Sequence, residues 1–121
     1  MILADTSIWV DHFRTANAKL QQMLRSYNVA MHPYVVVEIA LGSISQRELK
    51  LTSMRQMDQV RVATTAEVAE MIEARGLYSR GIGFVDAHLL ASCLLTPGTR
   101  LWTRDARLAD TARFLGCAAT V

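Results

Sequence analysis

A chain of 121 residues can close one hydrophobic core but not two, so its function must fit within one domain. Hydrophobic residues at 51% and charged residues at 20% exclude a disordered or coiled-coil composition, and a net charge of +2 excludes the long-range field of a strongly basic binder. Of the 13 basic residues only Lys19 and Lys50 are lysines; the rest are arginines, which grip phosphates and carboxylates bidentately.

Ile2-Leu3-Ala4 reads as a short strand that meets Asp5 too soon to build a signal-peptide core, which predicts a soluble, cytoplasmic protein with no membrane contact. Apolar residues at three- and four-residue spacing predict helix between Ser7 and Tyr27, followed by a strand at Val29-Ala30-Met31. Pro33 suits a first helical turn, and the helical pattern then runs to Met57. Val60 to Ala63 reads as a third strand, and Thr65 as the N-cap of helical sequence from Ala66 to Leu95. Arg100-Leu101-Trp102 reads as a fourth strand, Asp105 to Leu115 as a helix closed by Gly116, and Ala118 to Val121 as a fifth strand. Strands separated by crossover helices imply an α/β fold, a three-layer sandwich with a central, mainly parallel sheet of four or five strands flanked by helices. Cys93 and Cys117 lie in apolar surroundings without C-x-x-C spacing and read as buried, reduced thiols.

Ligands of such folds bind beyond the carboxyl ends of the strands, and four acids fall there. Asp5 ends the first strand, Glu38 follows the second, Asp86 opens a helix after Gly81-Ile82-Gly83, and Asp105 follows Trp102. Glu38 within Val35-Val36-Val37-Glu38-Ile39 and Asp86 within Phe84-Val85-Asp86-Ala87-His88-Leu89-Leu90 interrupt apolar helices, where an ionised carboxylate needs a partner or a metal. Each acid has a plainer role open to it: Asp5 and Asp105 as helix caps, Asp86 as a first-turn acid, Glu38 as one half of a buried pair with an arginine. Their convergence favours a site for Mg²⁺ or Mn²⁺, since clustered oxygen ligands suit those ions better than zinc. Such an ion, with room for a phosphate and a water, is the equipment of phosphodiester hydrolysis.

Asp5-Thr6-Ser7-Ile8-Trp9, Glu38 with Ala40 and Gly42, Asp86-Ala87, and Leu101-Trp102-Thr103-Arg104-Asp105 followed by Leu115-Gly116 resemble the PIN-domain ribonucleases, and among them the VapC toxins. The resemblance runs in order over nearly the whole length. It implies a PIN-like fold and a Mg²⁺- or Mn²⁺-dependent endoribonuclease that cuts single-stranded RNA, with transfer RNA among the candidates. It also implies a homodimer silenced by a VapB antitoxin. Asp5, Glu38, Asp86 and Asp105 match the family's acidic quartet, and Thr6, Ser7 and Thr103 its hydroxyl supports. Asp110 has no secure equivalent and, like Asp11 and Asp58, reads as a solvated acid.

Arg104 and Arg107 flank Asp105, where they could hold the RNA backbone. His12, His32 and His88 lack the spacing of a metal-independent ribonuclease and read as packing residues. Met54, Met57, Met71, Leu49 and Leu77 read as core, with a partner surface as the alternative, and Trp9 and Trp102 as buried behind the acids. A haloacid-dehalogenase-like phosphatase would need a D-x-D pattern where Asp5-Thr6-Ser7 stands. A receiver domain would need an acceptor aspartate after the third strand and a lysine after the fifth. An inactive scaffold or RNA-binding module of the same fold is the remaining alternative, and an intact quartet of unpaired acids argues against it.

Overall fold

The computed structural model describes residues 1–121. Four strands form, β1 (Ile2–Ala4), β2 (Val29–Met31), β3 (Asp58–Gln59) and β4 (Arg100–Trp102), in one sheet of order β3-β2-β1-β4. All pairings are parallel, with Leu3 opposite both Ala30 and Leu101. Consecutive parallel strands need long crossovers, and the helical segments supply them. The first two crossovers step from β1 to β2 to β3, whereas the third returns past both to place β4 on the other side of β1. Right-handed connections therefore put helices on both faces.

Each of the three long helical stretches divides in two. Between β1 and β2 stand α1 (Thr6–Arg14) and α2 (Ala18–Arg25), because Thr15 is extended and the Asn17 side chain accepts from Leu20 N–H to restart the helix. Between β2 and β3 stand α3 (Pro33–Ala40) and α4 (Arg47–Arg55), the second entered from Gln46 in the left-handed region at φ 51°. Between β3 and β4, α5 (Thr65–Arg75) ends on Gly76 at φ 65° and α6 (Phe84–Leu95) begins after Gly83. The cap of α5 is Thr64, one residue before the expected Thr65, because Thr64 and Glu67 close a reciprocal capping box. The last helix, α7 (Ala106–Phe114), stops before Gly116 as expected.

Two strand expectations are corrected. The third strand is Asp58–Gln59 and not Val60–Ala63. Val60 N–H still reaches Met31 C=O, but Arg61 N–H turns to the Thr96 hydroxyl, and Val60 and Ala63 are buried as packing residues of a loop. Ala118 makes only an isolated bridge to Leu101, so Ala118–Val121 adds no fifth strand. Leu3, Leu20, Met31, Val35, Leu90 and Leu108 are fully buried in the main core, each contributing about 1.5–3 kcal/mol. Cys93 and Cys117 are buried and free, as read from sequence. Leu49 departs from the core reading and is exposed. No helix is long and apolar enough to cross a membrane.

Candidate active site

The sheet order reverses at β1, so the carboxyl ends of β1 and β4 form a topological switch point, the place where open α/β sheets bind ligands. Asp5 follows β1 directly and Thr103-Arg104-Asp105 follow β4. Asp5 is buried at 6% exposure and caps α1 through Ile8 N–H at 3.3 Å. Its Oδ1 also accepts from the Ser7 hydroxyl at 2.5 Å, and its Oδ2 accepts from the Thr103 hydroxyl. Both hydroxyls are fixed in turn, Ser7 by Arg104 N–H at 3.1 Å and Thr103 by Asp105 N–H at 3.0 Å. Asp5 is thus held by donors from both strand ends, although 98 residues separate it from Thr103.

The other three acids arrive from helices. Asp105 caps α7, its Oδ1 accepting from Arg107 N–H at 2.9 Å and Leu108 N–H at 3.0 Å. Asp86, in the first turn of α6, accepts through Oδ2 from Gly83 N–H at 3.1 Å. Glu38, on α3, accepts through Oε1 from the Thr6 hydroxyl at 2.5 Å. The plainer roles, Asp5 and Asp105 as caps and Asp86 as a first-turn acid, are therefore real, but each of the three helix-borne acids engages only one carboxylate oxygen. Glu38 corrects the sequence reading, since it is exposed and has no arginine partner. Helix α3 buries only Val35, Val36 and Ile39, which leaves Val37 and Glu38 facing solvent.

Asp86 is coupled electrostatically to the other three acids. Burial pushes the Asp86 carboxyl above its ordinary value, the Gly83 N–H opposes this, and the charges of Asp105, Asp5 and Glu38 push it further up. The ion pairs of the molecule, Arg47–Glu48, Arg104–Asp11 and Arg113–Asp110, include none of the four. A set of mutually repelling, cation-free carboxylates with spare oxygens fits a hard divalent ion. The side chains are nevertheless turned to their hydroxyl and amide donors, and no three acidic, histidine or cysteine groups stand close enough to form a ligand set as they are.

Around the acids, Arg104 pairs with Asp11, which sequence reasoning left as a solvated acid; 93 residues separate the two, so no local signal could join them. Arg107 has no carboxylate partner, and its side chain lies across Gly81, where an added Cβ would come within 2.7 Å of its Cδ. Gly81 also sits at φ +75°, so this loop needs glycine twice over. Asp110 pairs with Arg113 on the exposed face of α7. The histidines stay out of the acid network: His12 accepts from Asn17 N–H, His32 caps α3 through Tyr34 N–H, and His88 is buried in α6.

The family model described as PIN domain matches residues 2–114 of the chain. The sequence is 47% identical over 108 residues to Ribonuclease VapC32 of Mycobacterium tuberculosis (strain CDC 1551 / Oshkosh), covering 89% of this chain and 87% of that protein. The protein of the same name from strain ATCC 25618 / H37Rv matches with the same identity and coverage.

Proposed function

The chain belongs to the PIN-domain family, and from that membership we propose that it is a Mg²⁺- or Mn²⁺-dependent endoribonuclease that cuts single-stranded RNA as the toxin of a VapBC pair. The observation that carries this reading is the set of four carboxylates at the β1/β4 switch point, none of them ion-paired and one of them raised by burial first and then by the charges of the other three.

Asp5, Glu38, Asp86 and Asp105 would hold the ion. When bound, it supplies Lewis-acid chemistry, easing loss of a proton from water and neutralising charge on the phosphate. The protein supplies positioning. Ser7 and Thr103 fix both oxygens of Asp5, so this carboxylate is oriented before any ligand arrives. Thr103 joins Asp5 to the start of α7, and Thr6 joins α1 to Glu38, so hydroxyls tie Asp5, Asp105 and Glu38 into one edge, while Asp86 is held by Gly83 N–H. Arg107, free of any carboxylate, would contact the RNA backbone, whereas the Arg104 guanidinium is engaged by Asp11.

The relatives' name, Ribonuclease VapC32, supports both the activity and a VapB-type partner that silences it. We place the protein in the cytoplasm as a homodimer and take a single-stranded region, such as a transfer RNA loop, as substrate. The test is cleavage of single-stranded RNA by purified, partner-free protein with Mg²⁺, with Mn²⁺ and in excess EDTA. Cleavage with either ion and none in EDTA is expected, whereas undiminished cleavage in EDTA would overturn the metal assignment. Expression alone should arrest growth, and co-expression of the small partner should restore it.

A further inference from the structure

Helix α6 is buried from Ala87 to Cys93, yet its first residue, Phe84, is 64% exposed and stands two positions before Asp86. Neither core cluster includes Phe84, even at its margin. Tyr34 stands one helical turn before Glu38 on α3, and its ring lies 6.4 Å from that of Phe84 with only 16° between the planes. Both rings rest on the buried imidazole of His88, at 4.7 Å from Phe84 and 4.9 Å from Tyr34, and Tyr34 also packs on His32 at 4.7 Å. The exposed ring is thus backed by other rings and held in place before any ligand meets it. Beside it opens a recess of about 230 Å³, walled by Leu77, Tyr78, Ile82, Phe84 and Ala87 among others.

We propose that Phe84, backed by Tyr34, is the platform on which a base of the RNA stacks beside the phosphate held at the acids. This deepens the ribonuclease reading and rests on it. The surroundings of the ring favour a nucleotide over an apolar protein side chain. Glu38 is one turn beyond Tyr34 on the same face of α3, Asp86 shares the first turn of α6 with Phe84, and the unpaired Arg107 crosses Gly81 in the loop leading to Phe84. A base carried on a phosphate chain brings a flat face and an anion together, which matches an exposed aromatic ring on the helix that carries Asp86, three residues after the glycine that Arg107 crosses. Stacking of this kind tolerates any base, so Phe84 sets affinity and register on the strand more than sequence choice.

The experiment compares wild type with Phe84→Leu, which keeps an apolar side chain without a π-face, and Phe84→Tyr, which keeps the face. Thermal melts confirm that each folds. Binding is read with Ca²⁺ in place of Mg²⁺, so that a divalent ion still holds the phosphate at the acids, from the fluorescence of 2-aminopurine placed at successive positions of a single-stranded oligoribonucleotide; KM and kcat are read separately with Mg²⁺. Wild type and Phe84→Tyr should quench the probe at one position. Phe84→Leu should lose that quenching and weaken binding about tenfold, with the loss in KM rather than kcat. An abasic nucleotide at that position should make wild type and Phe84→Leu equal. Unchanged RNA affinity in Phe84→Leu overturns the proposal, including the case in which only capture of a protein partner is weakened. A loss that persists undiminished on the abasic strand overturns it as well. If wild type quenches the probe but never cuts, the ribonuclease reading fails while the stacking site stands; if it cuts and Phe84→Leu matches it in every respect, the reverse holds.

Discussion

At the carboxyl edge of the sheet, Asp5 is buried with a hydroxyl donor on each of its carboxylate oxygens, and backbone N–H groups hold the hydroxyls themselves. Where α3 and α6 begin, His32 and His88 are also buried, but His32 Nε2 and both nitrogens of His88 have no hydrogen-bond partner. The first region surrounds an anion with donors. The second surrounds imidazoles with rings. Donors compensate a buried anion, whereas a protonated imidazole donates from both nitrogens and needs acceptors, whose absence leaves only the neutral form affordable. The His32 value is accordingly lowered to about 4, by burial first and then by His88, and that of His88 is lowered by burial. One region is built to work with charge and the other to exclude it, and each can be broken by a change the other should tolerate.

The largest effect is expected at the acid edge. Asp5→Asn should lower RNA cleavage more than about 100-fold, because even supports outside the ligand set commonly cost 10–100-fold. Thr103→Val, which removes one such support, should fall within that lower range. Asn keeps one acceptor for Ser7 and Ile8 N–H but presents an amide donor to Thr103, so its cost in stability should stay near 1 kcal/mol. Parallel assays of cleavage and thermal unfolding check both numbers. Wild-type cleavage by Asp5→Asn would move the reaction centre away from this edge.

The histidine region should show itself in stability against pH. Because the folded pKa of His32 lies near 4 and the unfolded value near 6.5, the unfolded chain takes up the proton first. Stability is then full above about pH 6.5 and falls as pH is lowered toward 4, by roughly 3 kcal/mol from this residue alone. His88 acts with the same sign. His32→Asn retains a good cap for Tyr34 N–H and removes the titration, so its unfolding free energy should change less between pH 7 and pH 4.5 than that of wild type. Denaturant titrations at the two pH values decide the matter. Parallel losses in the two proteins would mean that His32 is not held neutral.

The sequence shows the two regions unequally, for physical reasons. Strands β1, β2 and β4 are legible because their apolar triplets stop at turn or polar residues, and the acids are legible because they follow strand ends. Strand β3 is not, since Asp58 and Gln59 are both exposed edge residues whose only strand credential is pairing with Ala30 and Met31. The helix breaks were marked by Asn17 and Gly76, but apolar spacing that continued beyond them concealed the breaks. The exposure of Glu38 was hidden by Val35, Val36, Val37 and Ile39, which neighbour it in sequence but surround the helix in space. The hydroxyl bridge from Thr103 to Asp5, the Asp11–Arg104 pair and the packing of His32 with His88 all depend on topology, which no local pattern carries.

The smallest effect expected is the one that joins electrostatics to stability most directly. Asp86 is raised by burial and by three neighbouring acids, and the upward direction survives the opposing Gly83 N–H. An acid raised in the folded state costs stability as pH climbs through its unfolded and then its folded value, and the cost is complete above the folded value. Asp86→Asn removes the charge and keeps an acceptor for Gly83 N–H, so in EDTA at neutral pH it should melt above wild type. The gain should stay below about 1 kcal/mol, because Asp86 is only partly buried and solvent screens its repulsion. Mg²⁺ should reverse the order: binding to the folded state alone stabilises by about 2.7 kcal/mol at a hundredfold excess over Kd, and the variant lacks one of the four proposed ligands. His32→Asn, altered in the other region, should respond to Mg²⁺ as wild type does. Four melts, wild type and Asp86→Asn with and without Mg²⁺, test the coupling. If Asp86→Asn melts no higher in EDTA and Mg²⁺ shifts both proteins alike, the acids share an edge of the sheet without sharing a cation.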